Sequence, residues 1–214
     1  RQATLSEPPV FSIAERTHER LTLRADTGAV AHIFVLEDDI VRLLLLPDGE
    51  VHSAPSWAIA PGAEDIDEPG RDRMSVEGFA CPGFRLTEED DRLTIETAKI
   101  RLAIGLAGFH CRWEQRGEED WTLMAEDRPT QAYNFGWWDG RVHHHLVRQP
   151  GERYYGLGER TGAMDRAGRR FRLTNVDAMG YDAASPDPLY KHIPWLLVAD
   201  AENACHGEFT DNSP

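Results

Sequence analysis

Short apolar runs separated by polar turns recur along the chain, and this pattern restricts the possible folds more than any other feature of the sequence. Such runs occur at residues 21–23, 31–36, 40–46, 84–86, 92–96, 100–104 and 109–114. Each has the length of a β-strand, and turns such as Pro47-Asp48-Gly49 separate them. Strands repeated about every 8 to 12 residues with polar turns are typical of sandwiches and barrels. The sequence therefore predicts an all-β fold.

Length and charge limit the possible partners. The chain has 214 residues, which suits one large all-β domain with a substantial core. It carries 37 acidic and 23 basic residues, for a net charge of -14. Nucleic acids and anionic membranes bind basic surfaces, so we predict neither as a partner. No apolar run reaches the length of about 18 residues that a transmembrane helix needs.

The cysteines indicate the cellular compartment. Cys81, Cys111 and Cys205 are far apart, odd in number and without the paired spacing of metal ligands. This usage favours buried thiols in a reducing compartment, because disulfides form mainly in secreted proteins. We therefore predict a cytoplasmic location.

A run of three histidines raises the question of a metal site. On a strand, His143 and His145 share one face, and His144 points to the other. Two histidines at this spacing bind zinc only where further ligands converge, and the sequence offers no evident acidic or thiol partner. We predict no metal and no cofactor.

Two segments lack the alternating pattern. Residues 53–75 are rich in proline and acidic residues, which predicts a surface loop with one edge strand around residues 57–59.

Residues 154–198 look like strands at both ends, whereas the middle has the composition of a long irregular loop. Loops of that length in compact proteins are usually functional. Asp177 is the acidic residue in this loop whose neighbours could shape a pocket, although a loop aspartate ordinarily caps its own turn.

Four segments in this part of the chain carry a family resemblance. They are Tyr155-Gly156-Leu157-Gly158-Glu159, Asn175-Val176-Asp177, residues 187–194 and residues 207–213. In this order and spacing they resemble the N-terminal domain of glycoside hydrolase family 31, the α-glucosidase and α-xylosidase family. The resemblance covers the last third of the chain in detail and the rest only by strand rhythm. It implies an antiparallel β-sandwich of the galactose-mutarotase-like (supersandwich) type over residues 1–214, with a substrate-facing loop at about residues 156–192.

The resemblance also implies where the chemistry lies. Glycosides are hydrolysed by a pair of carboxylates, and in this family both aspartates lie on a (β/α)₈ barrel that follows the β-domain. No barrel pattern of alternating strands and helices occurs in this chain. We therefore expect no catalytic residue here and no turnover by this chain alone. Its expected partners are an α-glycoside substrate and a C-terminal catalytic barrel of the same polypeptide.

Two residues of the loop are the predicted substrate-binding residues. Asp177 matches the family aspartate that contacts the substrate's hydroxyl groups. Met179 occupies a position where some members help to bind substrate through a hydroxyl, which a thioether replaces poorly. This difference leaves the sugar preference open and implies a more apolar rim.

The neighbouring residues have structural interpretations. Gly156 and Gly158 are expected at turns that need unusual backbone angles. Glu159 is expected to orient the loop through a salt bridge with Arg160 or Arg169. Two further arginines, Arg166 and Arg170, are expected with Arg169 to be surface charges, and Tyr190 is expected to pack the loop back onto the domain.

Two alternatives remain open. The chain could be an independent carbohydrate-binding or aldose-1-epimerase-like sandwich, in which a histidine such as His110 or His192 would work with a carboxylate as general acid and base. It could also be a structural or interaction domain. A large exposed apolar patch would favour the module hypothesis over the independent sandwich, because a domain interface is apolar.

Overall fold

The computed structural model describes residues 8–59, 69–135, 142–182, 184 and 188–212. All helical or strand structure in these residues is β-strand, and the paired strands are antiparallel, so the predicted all-β antiparallel class is confirmed. The chain divides into two compact units, Arg1–Val147 and Arg148–Pro214. A single domain over residues 1–214 remains a prediction. No helix in the described residues is long and apolar enough to cross a membrane.

The first unit contains two large sheets and a small ribbon. The first sheet has the order β1-β2-β3-β4, with strands at Phe11–Arg16, Arg20–Ala25, Val30–Glu37 and Ile40–Leu46. The second sheet has the order β5-β6-β7-β8-β9, with strands at Arg85–Glu88, Arg92–Glu96, Ile100–Gly105, His110–Arg116 and Trp121–Glu126. The ribbon pairs β10 (Tyr133–Phe135) with β11 (Val142–His144). Sequential neighbours therefore pair throughout, as hairpin connections require.

One hydrophobic core holds both large sheets of the first unit. Alternate residues of β2, β3, β6 and β7 enter it, because successive side chains of a strand point to opposite faces. The first sheet contributes Leu21 and Leu23 from β2, and the second contributes Leu102 and Ile104 from β7, all with no exposed surface. The alternating pattern of the sequence is therefore the pattern of core contact.

Strand β3 is an exception, because it is buried on both faces. Ile33 lies in the core between the sheets, and Phe34 on the other face is 1% exposed. The Phe34 ring is covered by two guanidinium groups, with Arg42 at 4.2 Å and Arg20 at 5.8 Å from the ring centre. This cover explains why the apolar run at residues 31–36 does not alternate.

The outer face of the second sheet carries a ladder of charges. Arg85, Glu96, Arg101 and Glu114 lie opposite one another on four successive strands. Arg85 contacts Glu96, and the Arg101 Nε lies 2.5 Å from the Glu114 Oε2. Burial works against the charge of Glu114, but the hydrogen bonds and charges of Arg101 and Arg112 outweigh it and hold the pKa of Glu114 below its ordinary value. Opposite charges across strands stabilise the sheet.

A buried carboxylate joins the ribbon to the second sheet. Asp127, directly after β9, has no exposed surface. Its Oδ2 accepts the backbone N–H of Cys111 at 2.8 Å, and its Oδ1 accepts from the His144 Nε2 at 2.7 Å. The His144 ring also stacks on Tyr133 at 4.3 Å. A buried carboxylate without hydrogen-bond donors destabilises the fold, so the contact with His144 favours the observed position of β11.

The second unit contains one three-stranded sheet of order β12-β13-β14. Its strands are Arg153–Gly156, Trp195–Ala199 and Cys205–Phe209. The strands predicted at both ends of residues 154–198 are therefore confirmed. Between β12 and β13 the described residues contain no helix and no strand.

Two expectations were wrong. Trp57 and Ala58 form a bend and Ile59 is irregular, so no edge strand forms here, and Ser56 makes a single bridge with Arg71. The proline-rich composition explains this, because proline donates no ladder hydrogen bond. The thiols are not all buried, since Cys205 lies exposed on the edge strand β14. Cys111 is buried, and burial raises the pKa of its thiol. The predicted turn at Asp139-Gly140, together with the neighbouring tryptophans, lies outside the described residues.

We expect the substitution Leu102→Ala to lower the free energy of unfolding by about 2–5 kcal/mol, because it removes buried methyl groups and leaves a cavity. Urea denaturation measures this change. Ile40→Ala, at a position 46% exposed on β4, is the control and should change stability by less than about 0.5 kcal/mol. Equal effects of the two substitutions would contradict the proposed core.

We expect Asp127→Ala to destabilise the chain by about 3 kcal/mol, because the Cys111 N–H and the His144 ring lose their acceptor. Thermal unfolding followed by circular dichroism measures the loss. His143→Ala, which changes the exposed neighbour of His144 on β11, should leave the midpoint nearly unchanged. A midpoint unaffected by Asp127→Ala would show that the buried contact contributes nothing.

The pKa of Glu114 lies below its ordinary value of 4.5 in the folded chain, so its ion pairs stabilise the fold fully above pH 4.5. This stabilisation disappears as the pH falls through the lowered pKa. We therefore expect Glu114→Gln to destabilise the chain at neutral pH, and we expect the difference in stability between the variant and the unmodified chain to become smaller in acid. Urea midpoints measured on both sides of pH 4.5 give this difference, with the exposed Glu118→Gln as control. A difference that does not change with pH would contradict the lowered pKa of Glu114.

Candidate functional site

The long segment between β12 and β13 begins at a turn that needs glycine. Gly156 has φ +118 and Gly158 has φ +76, as expected from the sequence. The structure adds a second reason, which is close approach of the returning chain. A Cβ on Gly156 would lie 2.6 Å from the Trp195 carbonyl oxygen, and a Cβ on Gly158 would lie 2.7 Å from the Ile193 nitrogen. Only glycine fits at these two positions without a backbone shift.

Glu159 closes the base of the segment. Its backbone N–H donates to the Lys191 carbonyl at 2.9 Å, and its carboxylate accepts the Lys191 N–H at 3.0 Å. The expected orienting role is supported, but the expected partner was wrong. No salt bridge from Glu159 to Arg160 or Arg169 forms in the described part of the chain, because the carboxylate takes a backbone amide instead. The two ends of the loop are thus joined directly.

The backbone on both sides of Asp177 is held by a second set of contacts. Oδ1 of Asn175 accepts from the backbone nitrogen and the Nδ1 of His192, both at 2.9 Å. Residue 176 donates its N–H to the carbonyl of residue 189 at 3.3 Å. The Tyr190 hydroxyl donates to the Ala178 carbonyl at 3.4 Å, which is a contact within the loop, so the expected packing of Tyr190 onto the domain stays a prediction. These contacts restrict the position of the backbone around Asp177.

The Asp177 side chain itself is exposed. Among the described residues it makes no hydrogen bond and no ion pair, so its carboxylate is not occupied in capping a turn. Met179, two residues later, is 84% exposed. The structure places both predicted residues on the same tethered stretch and in contact with solvent. A carboxylate in this setting can accept hydrogen bonds from an external donor. Substrate binding by either residue remains a prediction.

The histidines are arranged as the strand pattern predicts. The rings of His143 and His145 stack in parallel with centres 6.3 Å apart, while His144 turns to Asp127. In the described ranges no group of three or more metal-ligating side chains converges. The histidines considered for epimerase chemistry have other contacts, since His110 bonds the Asp127 carbonyl at 2.9 Å and His192 bonds an amide oxygen.

Sequence reasoning missed a cavity in the second unit. It has a volume of about 330 Å³ and lies beside β12. Its wall combines three arginines with aromatic and aliphatic side chains, and the residues that line it include Arg148, Tyr154, Leu157, Arg166, Arg169, Phe171 and Leu196. Arg166 is half-buried rather than a simple surface charge, whereas Arg169 and Arg170 are exposed as expected. A run of arginines beside a phenylalanine was the only signal in the sequence.

Comparison with known proteins identifies the family. Residues 30–214 match the glycosyl hydrolase 31 N-terminal galactose mutarotase-like domain. A curated relative, alpha-glucosidase 2 from Bacillus thermoamyloliquefaciens, is 27% identical over 198 residues, which cover 92% of this chain and 22% of the relative. The chain therefore spans about a fifth of the length of that relative.

Solved structures share the fold at lower identity. A family 31 dextranase from Flavobacterium johnsoniae, complexed with glucose, aligns with a TM-score of 0.68 at 18% identity, covering 92% of this chain and 22% of that one. A family 31 α-xylosidase from Xanthomonas citri aligns with a TM-score of 0.58 at 17% identity, covering 86% and 18%. These likenesses confirm the galactose-mutarotase-like fold. With the family match over most of its length, the chain belongs to the glycosyl hydrolase 31 N-terminal galactose mutarotase-like domains.

Proposed function

We propose that this chain is the non-catalytic N-terminal domain of a retaining α-glycosidase of the α-glucosidase type, and that its long loop completes the carbohydrate pocket. Membership of the family supports this, as does the likeness to a relative named alpha-glucosidase 2. The dextranase with the same fold was solved with glucose. The carboxylate pair that cleaves the glycosidic bond belongs, in this proposal, to a catalytic barrel of the same polypeptide.

The observation that carries the proposal is the state of Asp177. Its own carboxylate is exposed and has no partner among the described residues, although contacts of Asn175 and Ala178 hold the backbone on either side. A tethered backbone lowers the entropy that must be lost when the side chain binds a ligand. An aspartate needed only for the loop would instead bond within it, as Asp182 does with the Ala184 N–H at 2.9 Å.

The chemistry of a carboxylate suits sugar hydroxyls. Ionised Asp177 accepts hydrogen bonds through two oxygens, which match two vicinal hydroxyl donors. Each such bond to a charged group contributes about 1.5–3 kcal/mol when well made. Met179, beside it, offers an exposed apolar surface and no strong donor or acceptor. We propose that it contacts the apolar C–H face of the sugar.

An exposed apolar face of the three-stranded sheet supports a barrel as partner. Trp195 and Phe209 lie opposite each other on β13 and β14, and both are 41% exposed. Ile193, just before β13, is 54% exposed. Contiguous exposed apolar side chains of this size are typical of a surface that another domain covers. This face favours a module of a larger enzyme over an independent epimerase.

We expect Asp177→Ala to lower kcat/KM for α-glucoside hydrolysis by the full-length polypeptide roughly 10- to 100-fold, because two charge-assisted hydrogen bonds to the sugar are lost. Hydrolysis of a nitrophenyl α-glucoside and of the corresponding α-xyloside gives the loss and the sugar preference together.

Asp182→Ala is the matched control, because it removes an exposed aspartate from the same loop. It should leave kcat/KM unchanged, and both variants should unfold at the same temperature as the unmodified protein. If Asp177→Ala hydrolysed both substrates as fast as the control, the proposed role of the loop would be wrong.

A further inference from the structure

The cavity beside β12 has an unusual charge for this chain. Residues 148–172 contain seven arginines and three acidic residues, although the whole chain has a net charge of -14. Three of these arginines, Arg148, Arg166 and Arg169, line the cavity, and no acidic residue in the described part of the chain does. Guanidinium groups gathered at one concave surface attract anions, because the low-dielectric wall focuses their field.

The guanidinium groups are held in place by aromatic rings and backbone carbonyls. Arg148 lies 5.8 Å from the centre of the Tyr154 ring, and Arg169 lies 5.0 Å from that of Phe171. Arg166 also lies over Phe171, at 5.8 Å, and donates to the Ala163 carbonyl at 2.7 Å. Groups fixed in this way lose little freedom when a ligand arrives, which favours binding.

Arg148 retains its donors for a ligand. Within the described residues it forms no hydrogen bond and no ion pair, and its contact is the Tyr154 ring. Arg169 donates from Nη1 to the Thr161 carbonyl at 3.0 Å, which leaves its other nitrogens. A planar guanidinium with open N–H groups binds carboxylate or phosphate oxygens in pairs.

Two acidic residues near the cavity form no direct ion pair with its arginines, although the charge of Arg148 helps its backbone hydrogen bonds, which have the larger effect, to lower the pKa of Asp165. Glu152 is buried and accepts from the Tyr154 hydroxyl at 2.5 Å and the Gln149 N–H at 2.8 Å. Asp165 accepts from two backbone N–H groups, those of Tyr154 at 3.1 Å and Ala167 at 2.9 Å. These carboxylates therefore do not neutralise the arginines by direct ion pairs.

The remaining wall is apolar. Leu157 and Leu196 line the cavity together with the Phe171 ring. The volume of about 330 Å³ lies within the range of small-molecule sites, which usually combine apolar walls with a few polar groups. The ligand that fits this wall is therefore an oxyanion attached to a small apolar body.

We propose that this cavity is a binding site for small organic oxyanions, with a phosphate monoester preferred, its phosphate on Arg148 and Arg169 and its apolar body against Phe171 and Leu196. The two guanidinium groups of Arg148 and Arg169 match the double charge of a phosphate monoester better than the single charge of a carboxylate. Asp177 does not line this cavity, and the proposal does not depend on the proposed glycosidase function.

Titration calorimetry of the full-length polypeptide with phenyl phosphate tests the proposal, in a phosphate-free buffer of low ionic strength. We expect saturable binding that weakens as salt is added, because the contacts are charged. Inorganic phosphate, which lacks the apolar body, and benzoate, which has one charge, should bind more weakly, and neutral phenol should not bind.

Substitutions locate the site. Arg148→Ala and Arg169→Ala should each weaken phenyl phosphate binding about tenfold, because each removes charge-assisted hydrogen bonds. Arg170→Ala is the matched control: it removes the same charge from an exposed neighbour that does not line the cavity. It should bind as the unmodified protein does, and Arg148→Lys should recover only part of the affinity.

Three outcomes would overturn the proposal. These are the absence of saturable binding, equal weakening by all three alanine substitutions, and binding that Arg148→Ala and Arg169→Ala leave intact. Unfolding temperatures of the variants separate a lost contact from a lost fold. Phenyl phosphate binding and α-glucoside hydrolysis are separate measurements, and Asp177 does not line the cavity, so failure of either proposal leaves the other standing.

Discussion

The arrangement of the second unit depends on the close backbone contact between residues 156–159 and residues 191–195. Two glycines permit this approach, and Glu159 then bonds Lys191 through both its amide and its carboxylate. The two ends of the long segment are therefore joined, so its conformational entropy is lower than that of a segment with free ends. Asp177 can be exposed and yet lie on a restrained backbone for this reason. The cavity beside β12 depends on the same contact, because Arg166, Arg169 and Phe171 of the long segment form part of its wall.

Much of the fold could be predicted from the sequence because core contact follows a period of two. The strands β2 to β4 and β6 to β8 were visible as apolar runs bounded by turns. The edge strand expected near residue 57 does not form, because prolines in this segment donate no ladder hydrogen bond and Ser56 makes only a single bridge with Arg71. The contacts of Asp127 could not be foreseen at all, since Cys111 and His144 are 16 and 17 residues away along the chain.

For the candidate site too, some features could be predicted from the sequence and others could not. The predicted role of Asp177 came from a family resemblance, and the residues alone indicated only an aspartate in a loop. The need for glycine at residues 156 and 158 was predictable from the turn, but the close approach of the returning strand was not. Glu159 was correctly expected to orient the loop, yet its partner was a backbone amide, which a sequence does not display. The cavity escaped notice because Arg148 is 18 residues from Arg166 in the chain.

The charge ladder of the second sheet also determines which strands can pair, and how. Apolar alternation rejects a register shift of one residue, because that would turn the core side chains outward. A shift of two residues keeps the apolar face intact, and hydrophobicity alone would permit it. Such a shift would place Arg85 opposite Thr94 instead of Glu96 and would separate Arg101 from Glu114. The cross-strand ion pairs therefore favour the observed register over a shift of two residues, which the apolar pattern alone does not distinguish.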